Sequence, residues 1–254
     1  MPEALHALLA SEDESNKLEG VIPKLAQLFE HDKRSQVAYL CTDVVVQVSK
    51  IPCEGATFCC YRNIQMLALG AGLAAEGMNV LRMQDMIEKA WDEGHNPFGR
   101  VQTGGIRGTR KHVGTFEVEA LLLSLGVPCT VKGYYGVGAQ EELLDFVEGY
   151  FSSAEEAKIV NSLSRVRSTK KAPIYLQRPG HSLTIIGLEK MVNSKRRLLT
   201  LDPAWKPPSE MQTARLLPDS VTTHFLRRHW ILWQYRKSCR YLRRFNAFET
   251  VHIA

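Results

Sequence analysis

The sequence predicts a mixed α/β (α+β) fold, and three observations carry that expectation. Amphipathic helical patterns and short apolar strand patterns alternate along the whole chain. Three strand-like runs follow one another in the C-terminal half, at Pro173 to Gln177, Ser182 to Leu188 and Arg197 to Leu201. The chain has 254 residues, 44% apolar and 23% charged, enough for one catalytic domain with a substantial core. No internal repeat or long low-complexity linker divides it, so a single domain spanning 1–254 is expected.

In chain order, Lys17 to Glu30 carries Leu18, Val21, Ile22, Leu25, Leu28 and Phe29 at helical spacing. Pro23 interrupts the pattern, which sets the expected helix start near it. Thr42 to Ser49, with Val44-Val45-Val46 and Val48, reads as a buried strand. A helix is expected over 60–75. A second one, Arg82 to Glu93, has Met83, Met86, Ile87, Ala90 and Trp91 on one face and is ended by Gly94 and Pro97. Asn96 to Gly114 reads as a loop. Its Gly104-Gly105-Ile106-Arg107-Gly108 lacks the preceding strand and spacing of a phosphate-binding turn. Thr115 to Leu125 reads as an apolar helix, Val127 to Lys132 as a strand, Gly133 to Gly138 as a turn-rich connection, and Gln140 to Tyr150 as a helix. The last two strands are expected to form a hairpin across Glu189 to Ser194, which would bring His181 and Asp202 to adjacent strand ends.

Bulk properties narrow the class. No run of 18 apolar residues occurs, which excludes a transmembrane helix on length. The start, Met1-Pro2-Glu3-Ala4-Leu5-His6, has no basic region and runs into Ser11-Glu12-Asp13-Glu14, unlike a secretory signal. The six cysteines (41, 53, 59, 60, 129 and 239) form no CxxC pair, which argues against structural zinc and for reduced thiols in cytosol or nucleus. No metal and no cofactor is expected.

The net charge of +5 is concentrated in one place. Residues 224 to 244 hold seven Lys or Arg and no acid, interleaved with Trp230, Trp233, Tyr235 and Tyr241. This basic, aromatic C-terminal element (224–245) reads in two ways. It is a surface for nucleic acid or an acidic partner, or it is a half-buried element whose aromatics face the core while its arginines are solvated, the ordinary outcome for such a pattern.

The chemistry centres on Phe58-Cys59-Cys60-Tyr61-Arg62-Asn63-Ile64-Gln65-Met66, where a polar turn runs into a helical pattern. A thiol in a first helical turn sits at the positive end of the backbone dipole, which favours thiolate. Downstream come Pro179-Gly180-His181-Ser182 and Leu201-Asp202-Pro203. A Cys, a His and an Asp in that order are the parts of a thiol hydrolase. On residues alone, Cys59 and Cys60 are equivalent candidates.

These motifs resemble the ubiquitin-fold-modifier proteases and, within them, the zinc-finger-containing ubiquitin peptidases. The resemblance covers about residues 50–215 and rests on Cys59-Cys60-Tyr61-Arg62-Asn63, Tyr175-Leu176-Gln177 leading to Gly180-His181-Ser182, and Leu201-Asp202-Pro203. Ala90-Trp91-Asp92-Glu93-Gly94, Gly108-Thr109-Arg110 and Glu117-Val118 are similar segments. Zinc fingers are absent from the 254 residues, as in short fungal members. Two departures stand out. Thr57-Phe58 replaces the family's Trp-Gly, and Cys60 replaces the small residue after the nucleophile.

The resemblance implies a papain-like fold, with helices packed on a central, mostly antiparallel sheet. It selects Cys59 as nucleophile, His181 as general base and acid, Asp202 as the residue orienting the histidine, and Gln177 as an oxyanion donor. Glu117 matches a family acid that grips arginines before the terminal glycines of a modifier tail. Asn96 stands where a second acid is usual, and His112 where relatives place an aromatic. The implied function is a deubiquitinase that hydrolyses the isopeptide bond at the ubiquitin C-terminus, on polyubiquitin chains. The implied partners are ubiquitin and polyubiquitin, met by a monomer without a membrane. A protease for the ubiquitin-fold modifier is the alternative enzyme. A non-catalytic module binding ubiquitin or nucleic acid is the alternative of another class.

Overall fold

A computed structural model describes residues 1–12, 14–52, 54–55, 57–73, 77–154, 164–213 and 215–253. The helices are α1 (Glu3–Ala10), α2 (Val21–Glu30), α3 (Cys59–Gly70), α4 (Val80–Asp92), α5 (Phe98–Thr103), α6 (Thr115–Ser124), α7 (Ala139–Ser152), α8 (Asp219–Thr222), α9 (Phe225–Tyr235) and α10 (Cys239–Leu242). The strands are β1 (Lys17–Leu18), β2 (Ser35–Leu40), β3 (Gln47–Val48), β4 (Cys129–Tyr135), β5 (Val166–Ser168), β6 (Ile174–Arg178), β7 (His181–Met191), β8 (Arg196–Leu201), β9 (Arg236–Ser238) and β10 (Ala247–Ile253).

Eight strands form the main sheet, in the order β4-β10-β6-β7-β2-β5, with β8 and then β9 added at β7. All pairs are antiparallel except β2 with β5. Strand β7 organises the sheet. Its first half, His181 to Ile185, pairs with β6, and its second half, Gly187 to Met191, pairs with β2. Gly187 marks the changeover, because a Cβ there would lie 2.0 Å from the Tyr39 carbonyl oxygen. Two apolar clusters occupy the two faces of the sheet. One joins α2, α7 and α9 to Ile174, Leu176 and Ile185, and the other joins α3, α4 and α6 to Tyr175 and Val251. This is the expected α/β architecture of helices on a mostly antiparallel sheet.

Several local expectations are corrected. Helix α2 starts at Val21, near Pro23 as expected, with the proline in a first turn whose N–H groups need no intrahelical acceptor, whereas Lys17 and Leu18 of the same pattern form β1. The strand expected over Thr42 to Ser49 shrinks to Gln47–Val48, with Val44 exposed in a turn. Its place in the main sheet is taken by Ser35–Leu40, whose Ala38 and Leu40 are fully buried. The loop from Asn96 contains α5, which stops at Gly104 in the left-handed region (φ 66°). Gly133 lies inside β4, because the Tyr135 ring folds back where a Cβ would stand, 2.4 Å from it. Helix α3 ends at Gly70, and of the expected 60–75 range residues 74 and 75 lie outside the described residues, as does Cys53.

The C-terminal element follows the ordinary amphipathic reading only in part: Tyr235 is buried and Arg227, Arg240, Arg243 and Arg244 are exposed, but other positions depart from it. On α9, Trp230 is 52% and Trp233 62% exposed, while Arg228 is buried and donates to the carbonyls of Thr222 and Thr223. Arg236 is buried between Asp32 and Glu189. The chain then closes with β10, a strand between β4 and β6 that completes the core. Among the described residues no helix is long and apolar enough to cross a membrane.

Candidate active site

Strands β7 and β8 run antiparallel with Thr184 opposite Leu201, so the start of one lies beside the end of the other. That register places His181 and Asp202 together, 21 residues apart in sequence. His181 Nε2 is 2.9 Å from Asp202 Oδ1. Helix α3 packs across β7 and β6, and its first residue is Cys59. The end of α3 sits tight on the sheet, since a Cβ at Gly70 would meet Pro173 and Val45 at 2.6 Å. With Nε2 held by Asp202, the other imidazole nitrogen is left for the Cys59 thiol, and the two groups are near enough for each to shift the other's titration.

The electrostatics follow from these contacts. Cys59 is pulled down to about 3 by a contact from Cys60 and, against burial, by the nearby His181 imidazole and a hydrogen bond from Ser182. Burial lowers the His181 pKa, but Asp202 and Cys59 more than offset it and raise the imidazole to about 9. Asp202 is pushed up by burial and brought below its ordinary value by His181 and Lys237, whose Nζ lies 3.7 Å from Oδ2. The three groups hold thiolate, imidazolium and carboxylate together at neutral pH.

Cys60 differs in every respect. It is 1% exposed, burial raises its pKa well above the ordinary thiol value, and its sulfur faces the Thr57 carbonyl. It fills space under the helix.

A polar relay missing from the sequence expectations lies behind Cys59. Thr184 Oγ1 donates to Asn63 Oδ1 (2.8 Å), Asn63 Nδ2 donates to Ser182 Oγ (3.0 Å), and Ser182 Oγ donates to Cys59 Sγ (3.4 Å). Asn63 Nδ2 also donates to the Cys59 carbonyl at 2.7 Å. Asn63, Ser182 and Thr184 are all fully buried. The alternation of β7, which turns Ser182 and Thr184 to one face, is the signal that reveals them.

The remaining expected residues divide. Gln177, on β6 opposite Ser182, has Oε1 accepting from the Tyr175 hydroxyl (2.8 Å) and Nε2 donating to its neighbour's carbonyl (3.2 Å). Gln47, a buried amide on β3, lies on an element packed against α3, and its Oε1 accepts from the Tyr235 hydroxyl. Glu117 is 4% exposed. Its carboxylate accepts from the Gly114 N–H (2.6 Å) at the start of α6, and burial raises its pKa. Asn96 donates to Glu119 Oε2 (2.5 Å), which puts a half-exposed carboxylate beside it. His112 is exposed next to Val113, whose backbone contacts the Cys60 sulfur, so it borders the first turn of α3. The glycine loop at 104–108 is no phosphate cradle, because Glu88 and Gln84 already accept its N–H groups.

A family model described as peptidase family C78 matches residues 33–251. This is wider than the 50–215 carried by the motifs, and it takes in the basic C-terminal element. Zinc finger-containing ubiquitin peptidase 1 of Homo sapiens is 32% identical over 234 residues, covering 86% of this chain and 39% of that protein. The Rattus norvegicus protein of the same name is 36% identical over 184 residues, covering 66% and 30%. The chain therefore spans about two fifths or less of these curated relatives. The crystal structure of UfSP from C. elegans matches with a TM-score of 0.51 at 12% identity, covering 89% of this chain and 35% of that one, a likeness of fold.

Proposed function

This chain belongs to peptidase family C78, and from that premise we propose that residues 1–254 form one catalytic domain of a thiol-dependent deubiquitinase. The observation that supports this reading most is the pairing of a depressed Cys59 thiol with a raised His181 imidazole, itself held by Asp202.

The reaction follows from those groups. The Cys59 thiolate attacks the carbonyl of the modifier's last residue, and the negative charge moves to the carbonyl oxygen. The Cys59 N–H and a glutamine amide donate to that oxygen. Gln177 is the first candidate, with Gln47 second because its neighbouring contacts fix only its oxygen. As the intermediate collapses, His181 gives its proton to the departing lysine amine, leaving a thioester on Cys59. Water, deprotonated by His181, then attacks the thioester, releasing the modifier acid and restoring the thiol. Asp202 keeps the imidazole oriented and stabilises its cationic form.

A tail ending in glycines offers no side chain to hold, so selection depends on charge further up. Glu119 with Asn96 supplies the accessible carboxylate on that wall, and Glu117 supports it by fixing the start of α6. One acid here is neutralised relative to the family pattern, because Asn96 replaces it. The likeness of fold to UfSP keeps the ubiquitin-fold modifier as the alternative substrate. A panel of C-terminal electrophilic probes, one per modifier, separates the two. Capture of the ubiquitin probe supports the proposal, and capture of the ubiquitin-fold modifier alone contradicts it.

A further inference from the structure

Beside the triad lies a hollow of about 590 Å³ that no step above uses. One wall is the segment 49–52, which leads toward Cys59, and the other is 203–207, which leaves Asp202. The walls are tied by the Lys50 N–H donating to the Pro203 carbonyl at 2.8 Å, and the Trp205 N–H donates to the Asp202 carbonyl at 3.0 Å. The hollow is thus built onto the chain entering the nucleophile and the chain leaving the acid.

Its lining has one electrostatic sign. Lys17, Lys50 and Lys206 contribute to it, and none of its fourteen lining residues is acidic. Lys17 is held by the exposed Glu14, whereas among the described residues Lys50 and Lys206 have no ion-pair partner. The apolar part comes from Leu18, Ile51 and Trp205. The Trp205 ring continues outward, with its centroid 6.0 Å from that of Trp233, and the Lys237 ammonium lies 5.5 Å from it. Exposed Trp233 and Trp230 therefore extend the same cationic, aromatic surface along α9.

The residues assigned to the modifier tail sit elsewhere, on α6 and the segments flanking it. A substrate whose tail enters from that side needs another surface for its lysine-bearing polypeptide, and the hollow next to Asp202 offers one. We propose that the hollow docks the leaving-side polypeptide and selects acidic residues flanking the modified lysine. The size is that of a peptide subsite, and the lysines supply the complementary charge. This proposal rests on the protease reading above.

The test compares three substrates: ubiquitin aminocoumarin, which has no leaving-side polypeptide, and ubiquitin joined by an isopeptide bond to a short acidic or a short basic peptide. The wild-type protein is expected to prefer the acidic peptide by about tenfold in kcat/KM at low salt. The preference should shrink in about 0.5 M salt, where screening is short-ranged. The double variant Lys50→Glu/Lys206→Glu should reverse the preference and leave aminocoumarin release within about twofold. Equal cleavage of both peptides by the wild-type protein would overturn the proposal. So would reversal variants that lose single-stranded oligonucleotide binding with the peptide preference unmoved, since the surface would then serve nucleic acid. Failure to release aminocoumarin at all would instead contradict the protease reading.

Discussion

The Ser182 hydroxyl donates to the Cys59 sulfur from a fully buried position, 3.4 Å away. It is the last link of a relay in which each donor points the same way, from Thr184 through Asn63 to the Cys59 sulfur. A hydrogen bond to a charged acceptor is worth about 1.5–3 kcal/mol, which corresponds to roughly one to two units of thiolate pKa. Ser182→Ala is therefore expected to move the thiolate titration up by about one unit or more. Thr184→Val should move it less, because it acts through two intermediates. Alkylation of Cys59 by iodoacetamide as a function of pH reads this shift directly, and a merely structural role for Ser182 would leave the midpoint in place.

A pH window for the proposed activity follows from two displaced titrations. Cys59 lies far below a free thiol at about 3, and His181 lies above free imidazole at about 9. Below the first value the nucleophile is protonated, and above the second the acid for the leaving amine is gone. Activity on an amide-linked substrate should form a plateau between these limbs. In His181→Ala the thiolate loses its cationic partner, so the acid limb of Cys59 alkylation moves up toward the ordinary thiol range. An unmoved limb would show that His181 does not touch the sulfur.

Arg62 anchors the loop before Cys59. It is fully buried on α3, ion-paired with Glu54 and Glu12, and donates to Gln65 at 3.0 Å. Arg62→Ala leaves two buried carboxylates without their cation, and such losses cost about 3–5 kcal/mol. Chemical denaturation should show a loss of that order. A change under about 1 kcal/mol would mean that the carboxylates find water or neutralise at little cost.

The oxyanion donor is decided by two variants. Removing one such donor costs about a hundredfold or more in kcat. Gln177→Ala should show this loss with little change in KM, provided its amide swings from the Arg178 carbonyl to the substrate. If Gln47→Ala carries the loss instead, the donor comes from β3.

Much of the site was legible in the sequence because its parts sit where local patterns are strong. Cys59 opens a helix, and β7 and β8 follow one another across the short turn after Met191, so their far ends, with His181 and Asp202, meet as expected. Cys60 and Cys59 could not be told apart by spacing. Burial separates them, and burial is a tertiary property. The strand Ala247–Ile253 escaped notice because the basic stretch before it dominates the pattern, although it fills the sheet between β4 and β6. The orientation of α9 was also hidden. Its tryptophans face outward because Arg228 and Ile231 take the inner face, where backbone carbonyls satisfy the guanidinium.

The most direct test of the account is covalent capture by an electrophilic ubiquitin C-terminal probe, with the adduct located by peptide mass spectrometry in the wild-type protein and in the Cys59→Ala and Cys60→Ala variants. The account predicts one adduct, on Cys59, lost in Cys59→Ala and retained in Cys60→Ala. An adduct on Cys60, or no adduct with ubiquitin while the ubiquitin-fold-modifier probe reacts, would contradict it.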